Sequence, residues 1–102
     1  MNNYTDIKDK NITVIGLGNS GLGAARLANY FGAIVFASDS SENKSISDNA
    51  FYLMENEHIP VETGKHSNRI YDADLWVVSP GVAKTSNIIK IAQKKGIPIY
   101  SE

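Results

Sequence analysis

Short apolar runs alternate with segments of helical periodicity along this chain. That alternation predicts a βαβ chain folding into a parallel sheet. Ile12 to Leu17 is a β-branched run broken by glycine and reads as a buried strand. A helix is expected next, capped by Ser20 and running to about Phe31, with Ala24, Leu27, Ala28 and Phe31 on one face and Gly32 as its stop. Ala33 to Ser38 is the second strand, and the polar stretch from Ser40 to Ser47 reads as a loop. Ile46, Ala50, Leu53, Met54 and Glu57 then fall at helical spacing. Ile59 to Glu62 is a short third strand, placed near a sheet edge because Pro60 has no amide to give a ladder. Between Glu62 and Asp74 there is room for a turn or two of helix, expected around Asn68 to Tyr71. Leu75 to Val78 is apolar on both faces, as a central parallel strand should be. Ser86 opens a last helix carrying Ile88, Ile89 and Ala92, Gly96 ends it, and Ile97 to Tyr100 is the fifth strand. The predicted fold class is α/β: a Rossmann-like, doubly wound, five-stranded parallel sheet with helices on both faces. The 102 residues fill one such domain, residues 1–102, and leave nothing over for a second.

Composition narrows the ligand chemistry more than the fold. With 42% hydrophobic and 21% charged residues the chain has the make-up of a soluble globular domain. A formal net charge of −1 gives no basic field to attract nucleic acid or an anionic membrane. An anionic ligand must therefore be held by local geometry. There are no cysteines, so thiolate metal sites and disulfides are excluded. The polar N-terminus is no signal peptide, and no apolar run approaches a membrane span, so the expected location is cytoplasmic.

The first predicted strand runs into V-I-G-L-G-N-S-G, in which Gly16, Gly18 and Gly21 form G-x-G-x-x-G. Gly16 permits a tight turn, Gly18 lets a ligand phosphate approach the backbone, and Gly21 lets the helix pack close to the strand. The amides of Asn19, Ser20 and Gly21 would then face an anion from the positive end of a helix dipole. Asp39 closes the second strand, where a nucleotide-binding domain places an acid to accept from ribose hydroxyls or a base. Ser79-Pro80-Gly81-Val82 follows the fourth strand. In a doubly wound sheet it opens on the same crevice as Gly18, because strands one and four flank the point where strand order reverses. Both features also have plain readings, close packing for the glycine turn and an ordinary Pro-Gly turn for the second loop.

The blocks VIGLGNSGLGAARLANYFGA, SDS, LWVVSPGV and GIPIYSE, over residues 11 to 102, resemble the N-terminal domain of the D-glutamate-adding Mur ligases of peptidoglycan synthesis. The resemblance implies a Rossmann-like domain that binds the UDP part of UDP-MurNAc-L-alanine. It places Gly18, Asn19 and Ser20 at the diphosphate, Asp39 and Ser40 at the uracil, and Ser79, Pro80 and Gly81 along the same pocket. Asn19 departs from the apolar residue that some members carry beside the uracil. The resemblance also implies ATP and Mg2+ for the whole enzyme, held by a central domain, with a C-terminal domain that holds the amino acid, and no cofactor, metal or catalytic residue within residues 1–102. Met1 reads as a natural start and Glu102 as a domain boundary. The runner-up reading is an NAD- or adenine-dinucleotide-binding domain of an oxidoreductase or regulatory protein, which the glycine motif and Asp39 fit equally.

Other conspicuous residues are assigned to the fold. His58 and His66 read as surface or loop histidines without a ligand set around them. Trp76 is expected in the core, Lys94 and Lys95 at a helix C-terminus, and Asp72 and Asp74 as solvated charges.

Overall fold

A computed structural model describes residues 4–101. The described residues begin with a 3-10 turn at Tyr4–Ile7. Then follow β1 (Asn11–Ile15), α1 (Asn19–Tyr30), β2 (Ile34–Asp39), α2 (Lys44–Glu57) and β3 (Val61–Thr63). A second 3-10 turn at Asn68–Tyr71 leads to β4 (Leu75–Val78), α3 (Asn87–Lys94) and β5 (Ile99–Ser101). The five strands are all parallel, in the order β3-β2-β1-β4-β5. The chain therefore winds outward from β1 through β2 to β3, then returns to β1's other side for β4. That reversal between β1 and β4 is the topological switch point.

The central strands β1, β2 and β4 each serve two cores because successive side chains leave opposite faces. Ile12 and Val14 of β1 join Val35 and Ala37 of β2 under Ala25 and Ala28 of α1 and Ile46, Ala50 and Leu53 of α2. Ile15 and Phe36 turn the other way, against Ile70, Trp76, Ile89 and Ala92. Trp76 is wholly buried there, its Nε1 donating to the Ile70 carbonyl at 2.8 Å and its ring stacked on Tyr71. One hydrogen bond thus ties the short crossover before β4 to the sheet.

The strand and helix sequence agrees with expectation, and β4 spans the expected residues, while several details differ. Gly18, not Ser20, is the residue preceding α1, and no side chain caps that end. The buried face of α1 is Gly21, Ala25 and Ala28, and Leu27, expected inside, is 44% exposed. Alanine and glycine line that face because the helix lies close on the sheet, and a leucine there would overfill it. The expected loop to Ser47 ends early: Asn43 caps α2 by accepting from the Ile46 amide, so the helix starts at Lys44. Met54, placed on the inner face, is exposed. His58 closes α2 in the left-handed region (φ 56°), a C-cap that glycine usually provides. β3 and β5 begin two residues later than expected, at Val61 and Ile99, each just beyond a proline. Asp74 is exposed, as expected, and its carboxylate also accepts from the Asn11 amide at 2.8 Å.

Candidate functional site

Three loops leaving the carboxyl ends of β1, β2 and β4, joined by His66 from the loop after β3, enclose one crevice of about 600 Å³. The first is the glycine turn. Gly16 sits at φ +98°, a conformation that favours glycine, and a Cβ built on it would lie 2.6 Å from the Ser79 Cβ. A Cβ on Gly21 would overlap the Gly16 carbonyl oxygen, so α1 rests directly on the turn. Both glycines therefore have reasons inside the fold. Gly18 has none: its φ is −67°, and a Cβ there would meet nothing within 4 Å. The amides of Asn19, Ser20 and Gly21 find no acceptor among the described residues. The start of α1 is a set of free donors beside a glycine that leaves the space open.

The second loop is held by Asp39. Its Oδ2 accepts from the Leu17 amide at 2.7 Å and its Oδ1 from the Ser41 amide at 2.8 Å. The acid expected to receive ribose or base donors is first a clamp, joining the glycine turn to the loop after β2. Asn49 of α2 completes that clamp by donating to the Leu17 carbonyl at 2.8 Å. Leu17 is fully buried, so both of its backbone groups need these partners.

The third loop is the turn Ser79–Val82, closed by the Val82 amide on the Ser79 carbonyl and pinned to β1 by the Ser79 amide on Ile15. Ser79 and Gly81 line the crevice across from Gly16 and Gly18. The start of α3 adds Ser86, Asn87 and Ile88 to the wall.

Of the residues singled out in the sequence, Gly16, Gly18, Asp39, Ser40, Ser79 and Gly81 meet in this crevice. The side chains of Asn19 and Ser20 are exposed at the head of α1, Gly21 lies beneath it, and Pro80 is an exposed turn residue outside the lining. Sequence reasoning missed the start of α3, although a helix that follows β4 must begin at this edge of the sheet. It also missed Asn49, whose spacing carries no signal, and His66. The latter is half-buried on the crevice wall, with Nδ1 2.7 Å from the buried Ser38 hydroxyl. Among the described residues, no group of three or more histidine, cysteine, aspartate or glutamate side chains could hold a metal ion. Likewise no helix is long and apolar enough to cross a membrane.

The family model described as Mur ligase MurD-like, N-terminal domain, matches residues 10–101, nearly the whole chain. The chain belongs to that family. Among curated relatives, the UDP-N-acetylmuramoylalanine–D-glutamate ligase of Chlorobium chlorochromatii is 38% identical over 97 residues. That of Elusimicrobium minutum is 40% identical over 95 residues. These matches take in 95% and 93% of the chain but only 20% of either relative, so the MurD-like domain spans about a fifth of their length. Among solved structures, L-tryptophan dehydrogenase from Nostoc punctiforme superposes with a TM-score of 0.65 at 17% identity, over 92% of this chain and 26% of that one. Shikimate dehydrogenase from Aquifex aeolicus gives 0.57 at 18% identity, over 93% and 43%. At such identities the likeness is one of fold, and it is the Rossmann-like fold expected from the sequence.

Proposed function

We propose that this MurD-like domain recognises the UDP moiety of UDP-N-acetylmuramoyl-L-alanine for a ligase that adds D-glutamate in peptidoglycan synthesis. The observation that carries the reading is Gly18. Nothing in the fold requires a glycine there, yet it stands beside three unpaired amides at the mouth of the crevice. Free amides at a helix N-terminus suit a diphosphate, and the open space at Gly18 lets its oxygens approach. Family membership supplies the rest: the relatives' names specify a uridine nucleotide and D-glutamate. In this reading Gly18 and the amides of Asn19, Ser20 and Gly21 take the diphosphate. Asp39 and Ser40 face the uracil, and Ser79 and Gly81 form the opposite wall, with Pro80 shaping the turn between them. Gly16 and Gly21 set the backbone on which that arrangement depends.

ATP and Mg2+ belong to other parts of such a ligase. Here the Gly64-Lys65 pair follows β3, but the element after it is a single 3-10 turn, which offers no helix N-terminus for a triphosphate. The reaction would run in the cytoplasm, where uridine-nucleotide precursors are made, with the sugar and peptide of the substrate gripped by the remaining domains.

Titrations with UDP and with NAD, followed by NMR or calorimetry, test the assignment. UDP alone lacks the sugar and peptide contacts, so a dissociation constant on the order of 0.1–1 mM is expected. The shifts should fall at residues 18–21, 39–40 and 79–81, with little response to NAD. Tighter binding of NAD would replace this reading with a dinucleotide-binding one.

A further inference from the structure

Ser38 is fully buried at the end of β2, and its hydroxyl has two polar neighbours. Oε2 of Glu62 and Nδ1 of His66 each lie 2.7 Å from Ser38 Oγ. A hydroxyl has one proton, so only one of these contacts can use it. Burial raises the Glu62 pKa, but hydrogen bonds from Ser67 and Ser38 outweigh burial and hold the carboxyl below its ordinary value. Glu62 is therefore a carboxylate at neutral pH and can only accept. The Ser38 proton goes to Glu62, and the Ser38 oxygen must then accept from His66. Nδ1 carries a hydrogen.

Burial pushes the His66 pKa below its ordinary value, against the opposing pull of Asp39 and Glu62, so the ring is neutral at pH 7. A neutral imidazole has one N–H, and Nδ1 has it. Nε2 is left as a bare lone pair. No donor among the described residues reaches it, and the ring, on the loop after β3, lines the same crevice as Asp39 and Ser40.

We propose that His66 is a specificity-determining residue of the crevice, presenting Nε2 as a fixed acceptor to an N–H or O–H donor of the bound nucleoside. Ser38 and Glu62 are positioning residues that set the tautomer. The inference rests on the nucleotide-binding reading and adds a polarity to it: this part of the wall takes donors and repels acceptors. A uridine nucleotide offers two kinds of donor, the imide N–H of its base and the hydroxyls of its ribose.

The free chain tests the relay without any ligand. Imidazole 15N shifts at pH 7.5 should show a protonated Nδ1 and a bare Nε2, and the opposite pattern would overturn the proposal whatever binds. In titrations, His66→Phe keeps the ring and removes both nitrogens, and UDP binding should weaken about three- to tenfold, the worth of one neutral hydrogen bond. Inorganic diphosphate, which needs only the glycine turn, should bind wild type and variant alike. Of 3-methyl-UDP and 2′,3′-dideoxy-UDP, the analogue lacking the donor that His66 receives should bind wild type more weakly and lose nothing further in His66→Phe. Should His66→Phe misfold, Ser38→Ala keeps the ring but frees the tautomer, so mixed 15N signals and a smaller loss of UDP affinity are expected. UDP binding that is equal in wild type and variant would sink the His66 assignment and leave the nucleotide site standing. UDP binding to neither would remove both.

Discussion

Replacing the three glycines of the first turn one at a time separates the site from the fold that builds it. Gly18→Ala adds a Cβ where no atom lies within 4 Å, at φ −67°. Less freedom in the unfolded chain gains about 0.4–1 kcal/mol, while alanine is a poorer N-cap than glycine by a similar amount. The two effects nearly cancel, so Tm should move by no more than about 5 °C. Gly16→Ala must instead hold a side chain at φ +98°, costing about 1–2 kcal/mol, with its Cβ 2.6 Å from the Ser79 Cβ. Adding about 1–2 kcal/mol for that overlap gives about 2–4 kcal/mol, or a Tm lower by about 8–30 °C. Gly21→Ala drives its Cβ into the Gly16 carbonyl oxygen, backbone against side chain with neither free to turn, and should be at least as damaging. Thermal unfolding by circular dichroism ranks the three, and UDP titration of the folded variants supplies the second axis. Gly18→Ala should keep the fold and lose at least about tenfold in UDP affinity, since its methyl would fill the space proposed for phosphate oxygens. If Gly18→Ala unfolds like Gly16→Ala, the glycine serves architecture. If it stays folded and binds UDP as wild type does, the phosphate site lies elsewhere.

Asp39→Asn should lower stability by about 1.5–3 kcal/mol, because one amide of Leu17 or Ser41 would face an NH2 group in place of a carboxylate oxygen. A Tm within 2 °C of wild type, on a scale of about 4–8 °C per kcal/mol, would contradict the clamp. Asn49→Ala leaves the buried Leu17 carbonyl without its donor and should cost about 1 kcal/mol, read in the same melts. The pH profile has a definite sign. His66 titrates in the fold below its ordinary 6.5, so its neutral form's contribution is complete above about pH 6.5 and is lost as pH falls toward the folded-state value. Glu62 also titrates low in the fold, so its contribution is present above its ordinary 4.5 and is lost on further acidification. Tm should therefore decline from below pH 6.5, and the first part of that decline should be missing in His66→Phe; a flat profile from pH 7.5 to 5.5 would refute this.

The fold was legible because its signals are local. β-branched runs bounded by glycine, and helical spacing between them, sit within a dozen residues of each other. Element ends were less legible where a cap hides in polar sequence: in Ser41-Glu42-Asn43-Lys44-Ser45, any of several residues could begin α2, and only the Asn43 side chain accepting from Ile46 decides it. The expected inner face of α1 failed for a different reason. Helical spacing alone gives two overlapping stripes there, and the distance between helix and sheet chooses the one with smaller residues, Gly21, Ala25 and Ala28. The candidate site was legible as far as the glycine motif, Asp39 and the Ser79–Gly81 turn. His66 was not, because its meaning depends on Ser38 and Glu62, and Ser38 lies 28 residues away in sequence.

Asp39 shows why an acid at this strand end reads ambiguously from sequence. A carboxylate there can accept from a ligand or from the backbone, and the spacing after the glycine motif is the same in both cases. The structure shows backbone amides on both oxygens, which would suit a purely architectural residue. Yet each carboxylate oxygen has a second lone pair, and Asp39 lines the crevice, so fixing the carboxylate from behind also aims what remains of it. A clamp of this kind makes the glycine turn and the loop after β2 a single rigid unit. Gly18 stands on that unit, and His66, on the loop after β3, is tied to it through the Ser38 hydroxyl at the end of β2, so both polar ends of a bound nucleotide would meet groups already in place. Preorganisation of this sort reduces the ordering cost of binding, and it predicts that loss of Asp39 weakens both ends together. Loss of His66 should weaken only one.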